Sequence, residues 1–154
     1  IGRIPLDENI LVALDSSENA MRAVEYVATT LGGFDFNITL LNVIRGVRYF
    51  QPEIPDLFLP KVQMEAAEKE ISSVFDKAKH CLTDAGFKSD QINTKIISDA
   101  YSRSEAIVQE ARSGDYGTIV LGRRGLSRVK EFFMGRVSKK VIQTIRNRAV
   151  WVVT

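Results

Sequence analysis

Apolar residues along this chain alternate between two spacings, and the alternation predicts a sheet interleaved with helices. Ile10-Leu-Val-Ala-Leu14 is a continuous apolar run, the pattern of a strand buried on both faces. Asp15-Ser16-Ser17-Glu18 follows as a capping sequence. Beyond it, Ala20, Ala23, Val24, Val27, Ala28 and Leu31 recur at helical spacing until Gly32-Gly33 ends the helix. A second strand is predicted over Asn37 to Ile44. A long helix is then predicted from Pro60 to Ala85, with Ile71, Val74, Phe75, Ala78, Cys81, Leu82 and Ala85 as its core stripe and Gly86 as its stop. The third strand is expected over Ile92 to Ile97, a short helix over Arg103 to Arg112, and the fourth strand over Thr118 to Leu121. A fourth helix starts near Gly135 with Val137, Val141 and Ile145 inward, and Ala149 to Val153 closes the chain as a fifth strand.

Strands alternating with helices place the chain in the α/β class. The expected architecture is an open, five-stranded, mostly parallel sheet with helices on both faces, joined by right-handed crossovers in a Rossmann-like manner. Ligands of such sheets bind beyond the carboxyl ends of the strands, where the strand order reverses, so the loops after the first and fourth strands are the places to search. The segment Arg45 to Leu59, with Tyr49, Phe50, Pro52, Pro55 and Phe58, has no clear period and too many aromatics for a free linker. It is expected to pack as a surface flap, with a dimer contact or ligand lid as the other readings.

After the fourth strand comes Gly122-x-x-Gly125, then nine residues, then Gly135 at the start of a helical pattern. Glycines let a ligand approach the main chain, and a helix start offers unbonded N–H groups and partial positive charge to an anion such as phosphate. This spacing resembles the nucleotide-binding motif of the universal stress protein family, in its ATP-binding branch. The resemblance extends over nearly the whole chain: Ile10 to Ser17 is similar to the family's opening strand and its acidic residue, Leu40 to Val43 to its second strand with Asn42 where a His is often found, and Ala149 to Val153 to its closing strand.

The resemblance implies the fold of the adenine nucleotide alpha hydrolase-like proteins, one universal stress protein domain over residues 1–154, and ATP or AMP as ligand, with Mg2+ as an optional companion. It places Asp15, flanked by Ala13 and Leu14, at the adenine or ribose side, and has Val43 offer backbone groups to the adenine edge. Gly122, Arg123, Arg124 and Gly125 would pass close to ribose and phosphates, while Gly135, Arg136, Val137 and Ser138 would form the phosphate-binding helix start. Each has a plainer role beside this one: Asp15 as a helix cap, Val43 as a buried strand residue, Gly-x-x-Gly as an ordinary turn. Arg136 departs from the family pattern, which has Ser or Thr after the last glycine. It can grip phosphate, turn outward to solvent, or fill the pocket.

Charge sharpens this picture. The net charge is only +2, yet residues 116–154 hold nine Lys/Arg against one acid, Glu131. Such a segment raises the local concentration of a polyanion, or is simply a solvated basic surface. It is short on aromatic stacking residues and holds no recognition-helix motif, so no nucleic-acid partner is expected. With 154 residues the chain has the size of one domain. No apolar run is long enough for a membrane span and the N-terminal residues lack a signal-peptide core, so a cytoplasmic protein without a membrane partner is expected. Because Ile1 is not methionine, a trimmed chain or one half of a tandem protein is also open. The single cysteine, Cys81, excludes an internal disulfide and is expected as a buried thiol.

Two function classes follow. The first is an adenine-nucleotide-binding stress-response regulator, which the resemblance implies to be a homodimer through Ala149 to Val153, acting on unidentified protein partners. The second is a nucleotide-free dimeric interaction module in which Arg136 blocks the phosphate site. An enzyme is less favoured, with slow ATP hydrolysis as its upper limit. The sequence has no Walker-type Gly-Lys-Ser/Thr and no metal-ligand cluster, and its one histidine, His80, belongs to the long helix away from the expected site.

Overall fold

In the computed structural model, which describes residues 8–46, 59–123 and 134–154, the alternation becomes β1 (Asn9–Ala13), α1 (Glu18–Leu31), β2 (Asn37–Arg45), α2 (Leu59–Asp84), β3 (Ile92–Ala100), α3 (Arg103–Ser113), β4 (Thr118–Gly122), α4 (Arg136–Thr144) and β5 (Ala149–Val153). A single turn of 3₁₀ helix, Ser89–Gln91, precedes β3 and was not expected. The strands lie in the order β3-β2-β1-β4-β5, and every pairing among them is parallel. The sheet is therefore wholly rather than mostly parallel over the described residues. The aromatic segment lies largely outside them, since 47–58 are not described.

Two-residue periodicity sorts the central strands between two cores. Ile10 and Val12 of β1 face α1 and α2, packing on Val24, Val27, Ile71, Phe75 and Leu82. Leu11, with Leu41, Val43, Ile119 and Leu121, faces the opposite way onto Ile107, Val108 and Ala111 of α3 and Val141 of α4. A central strand with both faces covered has no polar alternation, which is why β1 reads as an unbroken apolar run. Gly86 ends α2 with φ 103, a backbone conformation that an L side chain resists.

Some boundaries move. β3 continues three residues past Ile97 to Ala100, through a register shift opposite Val43 and Arg45 and through Asp99 at φ 57. Cys81 is half-buried against the first core rather than fully enclosed. Burial, then the nearby Glu25 and Asp84 carboxylates, push its thiol pKa up. His80 is exposed on α2, as expected.

Candidate functional site

From β1 the chain fills one side of the sheet with β2 and β3, then crosses to β4 and β5 on the other. The order therefore reverses between β1 and β4. A cavity of about 820 Å³ opens there, at the carboxyl ends of the strands. Its walls include Ala13, Leu14 and Asp15 where the chain leaves β1, Leu121 and Gly122 at the end of β4, and Gly135 to Ser138 at the start of α4. Val43 completes the set from β2. Nine of the sequence-predicted residues are thus brought together in one cavity. Arg124 and Gly125 lie outside the described residues, and Arg123 is not part of the lining.

The backbone of Arg123 instead ties the region together. Its N–H donates to the Val153 carbonyl at 2.7 Å, and its carbonyl accepts from the Gly135 N–H at 2.8 Å. Ser138, buried at 4% exposure, donates its hydroxyl to the Gly122 carbonyl at 2.9 Å, which seats α4 against the end of β4. Gly135 is the N-cap of α4 and brings no capping side chain, and the first-turn N–H groups of Arg136, Val137 and Ser138 have no acceptor among the described residues. A helix start of this kind, opening into a cavity, carries the partial positive charge that favours anions. Arg136 lines the cavity yet is exposed, so it stands at the rim rather than filling the space.

The other predicted residues acquire more definite surroundings. Ser17, not Asp15, is the N-cap of α1: its hydroxyl oxygen accepts from the Ala20 N–H at 3.2 Å, while Asp15 Oδ1 accepts from the Ser17 N–H at 3.0 Å. Asp15 thus braces the turn before the helix and faces the cavity at the same time. Gly122 has a packing reason to be bare. A Cβ there would stand 2.7 Å from the Asn19 carbonyl oxygen and 2.8 Å from its carbon, because the first turn of α1 lies directly against it.

A sequence model of the universal stress protein family matches residues 8–153. The chain belongs to the universal stress protein family. Among its relatives, a putative universal stress protein of Staphylococcus epidermidis is 28% identical over 139 residues, spanning 88% of this chain and 78% of the relative. Among solved structures, the protein MJ0577 is 26% identical with a TM-score of 0.77, covering 96% of each chain. More distant in sequence, and evidence of the fold alone, are a universal stress protein solved with cAMP (17% identity, TM-score 0.66, 94% of each chain) and one from Archaeoglobus fulgidus solved with dAMP (18%, 0.65, covering 95% of this chain and 97% of that one).

Other lining residues of this universal stress protein were not anticipated. β2 contributes Asn42 and Arg45, the turn after β3 contributes Tyr101, the start of α3 contributes Arg103, and α2 contributes Glu70. Buried Asn42 donates its Nδ2 to the Leu14 carbonyl at 2.7 Å and fixes the path of the chain as it leaves β1. Arg103 donates its Nε to the Val43 carbonyl at 3.3 Å. Arg45, Arg103, Arg136 and Lys140 stand against Asp15 and Glu70, so the charged lining is basic by four to two. Half of that basic charge comes from outside the C-terminal segment that the sequence singles out. Asn42, a polar residue within the Leu40 to Ile44 run of the second strand, was an available signal. Among the described residues there is no group of three or more His, Cys, Asp or Glu that could hold a metal ion, and no helix is long and apolar enough to cross a membrane.

Proposed function

We propose that this universal stress protein binds a nucleotide, ATP or AMP, in the cavity between β1 and β4, and that occupancy regulates its affinity for a protein partner. One observation carries the reading: a single basic cavity at the switch point holds both the Val43 main chain and the uncapped start of α4. The first suits a heterocycle edge and the second a phosphate. Ala13, Leu14 and Asp15 would flank the base and ribose. Gly135, Arg136, Val137 and Ser138 would meet the phosphates, with the exposed Arg136 guanidinium adding charge to the anion end. The family relatives solved with cAMP and dAMP support a nucleotide of this size. Mg2+ would arrive on the phosphates, and a stress-response role follows from the family.

A homodimer through β5 belongs to the same proposal. Among the described residues that strand pairs with β4 alone, and its residues Val150 to Val153 are half-buried, leaving an apolar edge that pairing would cover. The nucleotide-free interaction module has one observation on its side, since the Val43 carbonyl is already bonded to Arg103.

Calorimetric titration of nucleotide-stripped protein with ATP, ADP and AMP, with and without magnesium, tests the proposal. Binding in the micromolar range is expected, with Arg136→Ser weakening ATP more than AMP. Absence of binding at millimolar nucleotide would overturn it and leave the interaction module.

A further inference from the structure

We propose that Arg103 sets base selection in this cavity and makes it accept 6-oxopurine nucleotides at least as well as adenine nucleotides. The inference rests on the nucleotide reading above and names the class of base. Its geometry begins with the sheet. The Leu41 carbonyl accepts from the Leu14 N–H at 2.8 Å, so the main-chain groups of Leu41 point toward β1. In a parallel strand the N–H and C=O of one residue point to the same side, and the side alternates with each residue. Val43, two residues on, therefore also directs both groups toward the β1 side. The β1 ladder ends with Ala13 opposite Leu41, so no residue of that ladder stands opposite Val43, which lines the cavity.

Left alone, Val43 would offer a donor beside an acceptor, the complement of an edge that carries an acceptor beside an amino group, as adenine does. Arg103 changes that edge. Its Nε–H takes the Val43 carbonyl, and four further N–H donors remain on the guanidinium at the cavity wall. Asn42 spends an amide N–H on the Leu14 carbonyl, so its Oδ1 is the one acceptor its side chain has. The edge that a base meets is thus rich in donors, with the Val43 carbonyl keeping one of its two lone pairs. A 6-oxopurine presents O6 and N7 as two adjacent acceptors, the pair that a guanidinium binds bidentately, whereas adenine places its N6 amino donor next to N7. Adenine must share the Val43 carbonyl with Arg103 and set its N6 amino group beside the remaining guanidinium donors.

The position of Arg103 is set by the backbone rather than by chance rotation of a loop. It is the first residue of α3, and Ser102 caps that helix by accepting from the Glu105 N–H at 3.4 Å. β3 reaches this point only because it continues through Asp99 to Ala100.

The test is titration of the nucleotide-stripped chain with ATP and ITP, and with AMP and IMP, for the natural protein and for Arg103→Met, which keeps the apolar stem. Arg103 is exposed, so the variant is expected to fold, and a melting curve checks this. The natural protein is expected to bind ITP at least as tightly as ATP. Arg103→Met is expected to shift the ITP:ATP affinity ratio toward ATP about tenfold, the scale of one hydrogen bond lost and another gained, with the same shift for the monophosphates. If Arg103 serves only the phosphates, the variant weakens ATP and ITP equally and the ratio stays put. That result overturns the inference and leaves the nucleotide reading standing. No binding of any of the four by either protein overturns both.

Discussion

Gly122→Ala separates packing from ligand contact at the residue where the two are most easily confused. An added Cβ would meet three backbone atoms of α1: the Asn19 carbonyl oxygen at 2.7 Å, its carbon at 2.8 Å and the Ala20 nitrogen at 3.2 Å. Backbone atoms cannot rotate away as a side-chain tip can, so the first turn of α1 must move. That turn is held by the Ser17 cap and carries Ala20 into the first core, with Ala23 and Val24 following in the next turn. Forcing extra volume into a packed site costs roughly 1–3 kcal/mol. Against this, alanine restricts the unfolded chain and recovers about 0.4–1 kcal/mol where the native backbone suits it, and Gly122 does not use positive φ. The steric term is the larger, leaving a net loss of about 1–2 kcal/mol. For a chain of this length that corresponds to a melting point lower by roughly 3–6 °C. Thermal unfolding followed by circular dichroism measures it, with nucleotide titration of the same sample well below the transition. A melting point unchanged or raised would refute the packing argument. Lost binding in a destabilised Gly122 variant is not evidence that the glycine touches ligand.

Three further outcomes are expected. Ser138→Ala removes the hydroxyl that donates to the Gly122 carbonyl and should lower stability by about 1–2 kcal/mol in urea unfolding, an unchanged midpoint counting against the clasp. The Lys95 ammonium is held above its ordinary pKa by its hydrogen bond to buried Glu110, at 2.8 Å, so the unfolded chain gives up that proton first as pH rises. The pair's contribution is therefore complete below the ordinary lysine pKa and lost as pH passes the raised native one. Lys95→Arg, which does not titrate there, should flatten that alkaline decline, and an equally steep curve would refute the assignment. Cys81, with its thiol pKa pushed up chiefly by burial, should react with iodoacetamide more slowly in the native chain than in urea, and equal rates would show the thiol to be open.

The central strands were legible because burial on both faces removes any competing polar pattern. The third strand was less so. Residues Asn93 to Lys95 on this edge strand are exposed, so their side chains carry no burial signal. Ser98 and Asp99 look like the start of a loop, yet the ladder runs to Ala100 by pairing with Arg45 across a shifted register. Misplacing that end hides Tyr101 and Arg103 from any search limited to the first and fourth loops. The cap of α1 was ambiguous for another reason. Asp15, Ser16 and Ser17 are all capping residue types, and only the final backbone geometry assigns the cap to Ser17. Gly122 combined a local motif with a long-range contact to α1, and only the motif is written in the neighbouring residues.

The same distinction explains why family membership and ligand choice are carried by different parts of this chain. The Arg123 backbone, bonded to Val153 and Gly135, and the Ser138 hydroxyl, bonded to the Gly122 carbonyl, lock β4, β5 and α4 to one another. Their requirements are steric, and they leave a fixed residue spacing in the sequence. The base selection we propose falls, in contrast, to a side chain on the far wall, Arg103, bonded to one strand and carried by the helix after another. That contact spans 60 residues and imposes no spacing on its neighbours. A sequence can therefore declare the glycine-bearing end of such a cavity by its spacing while leaving the opposite wall unwritten.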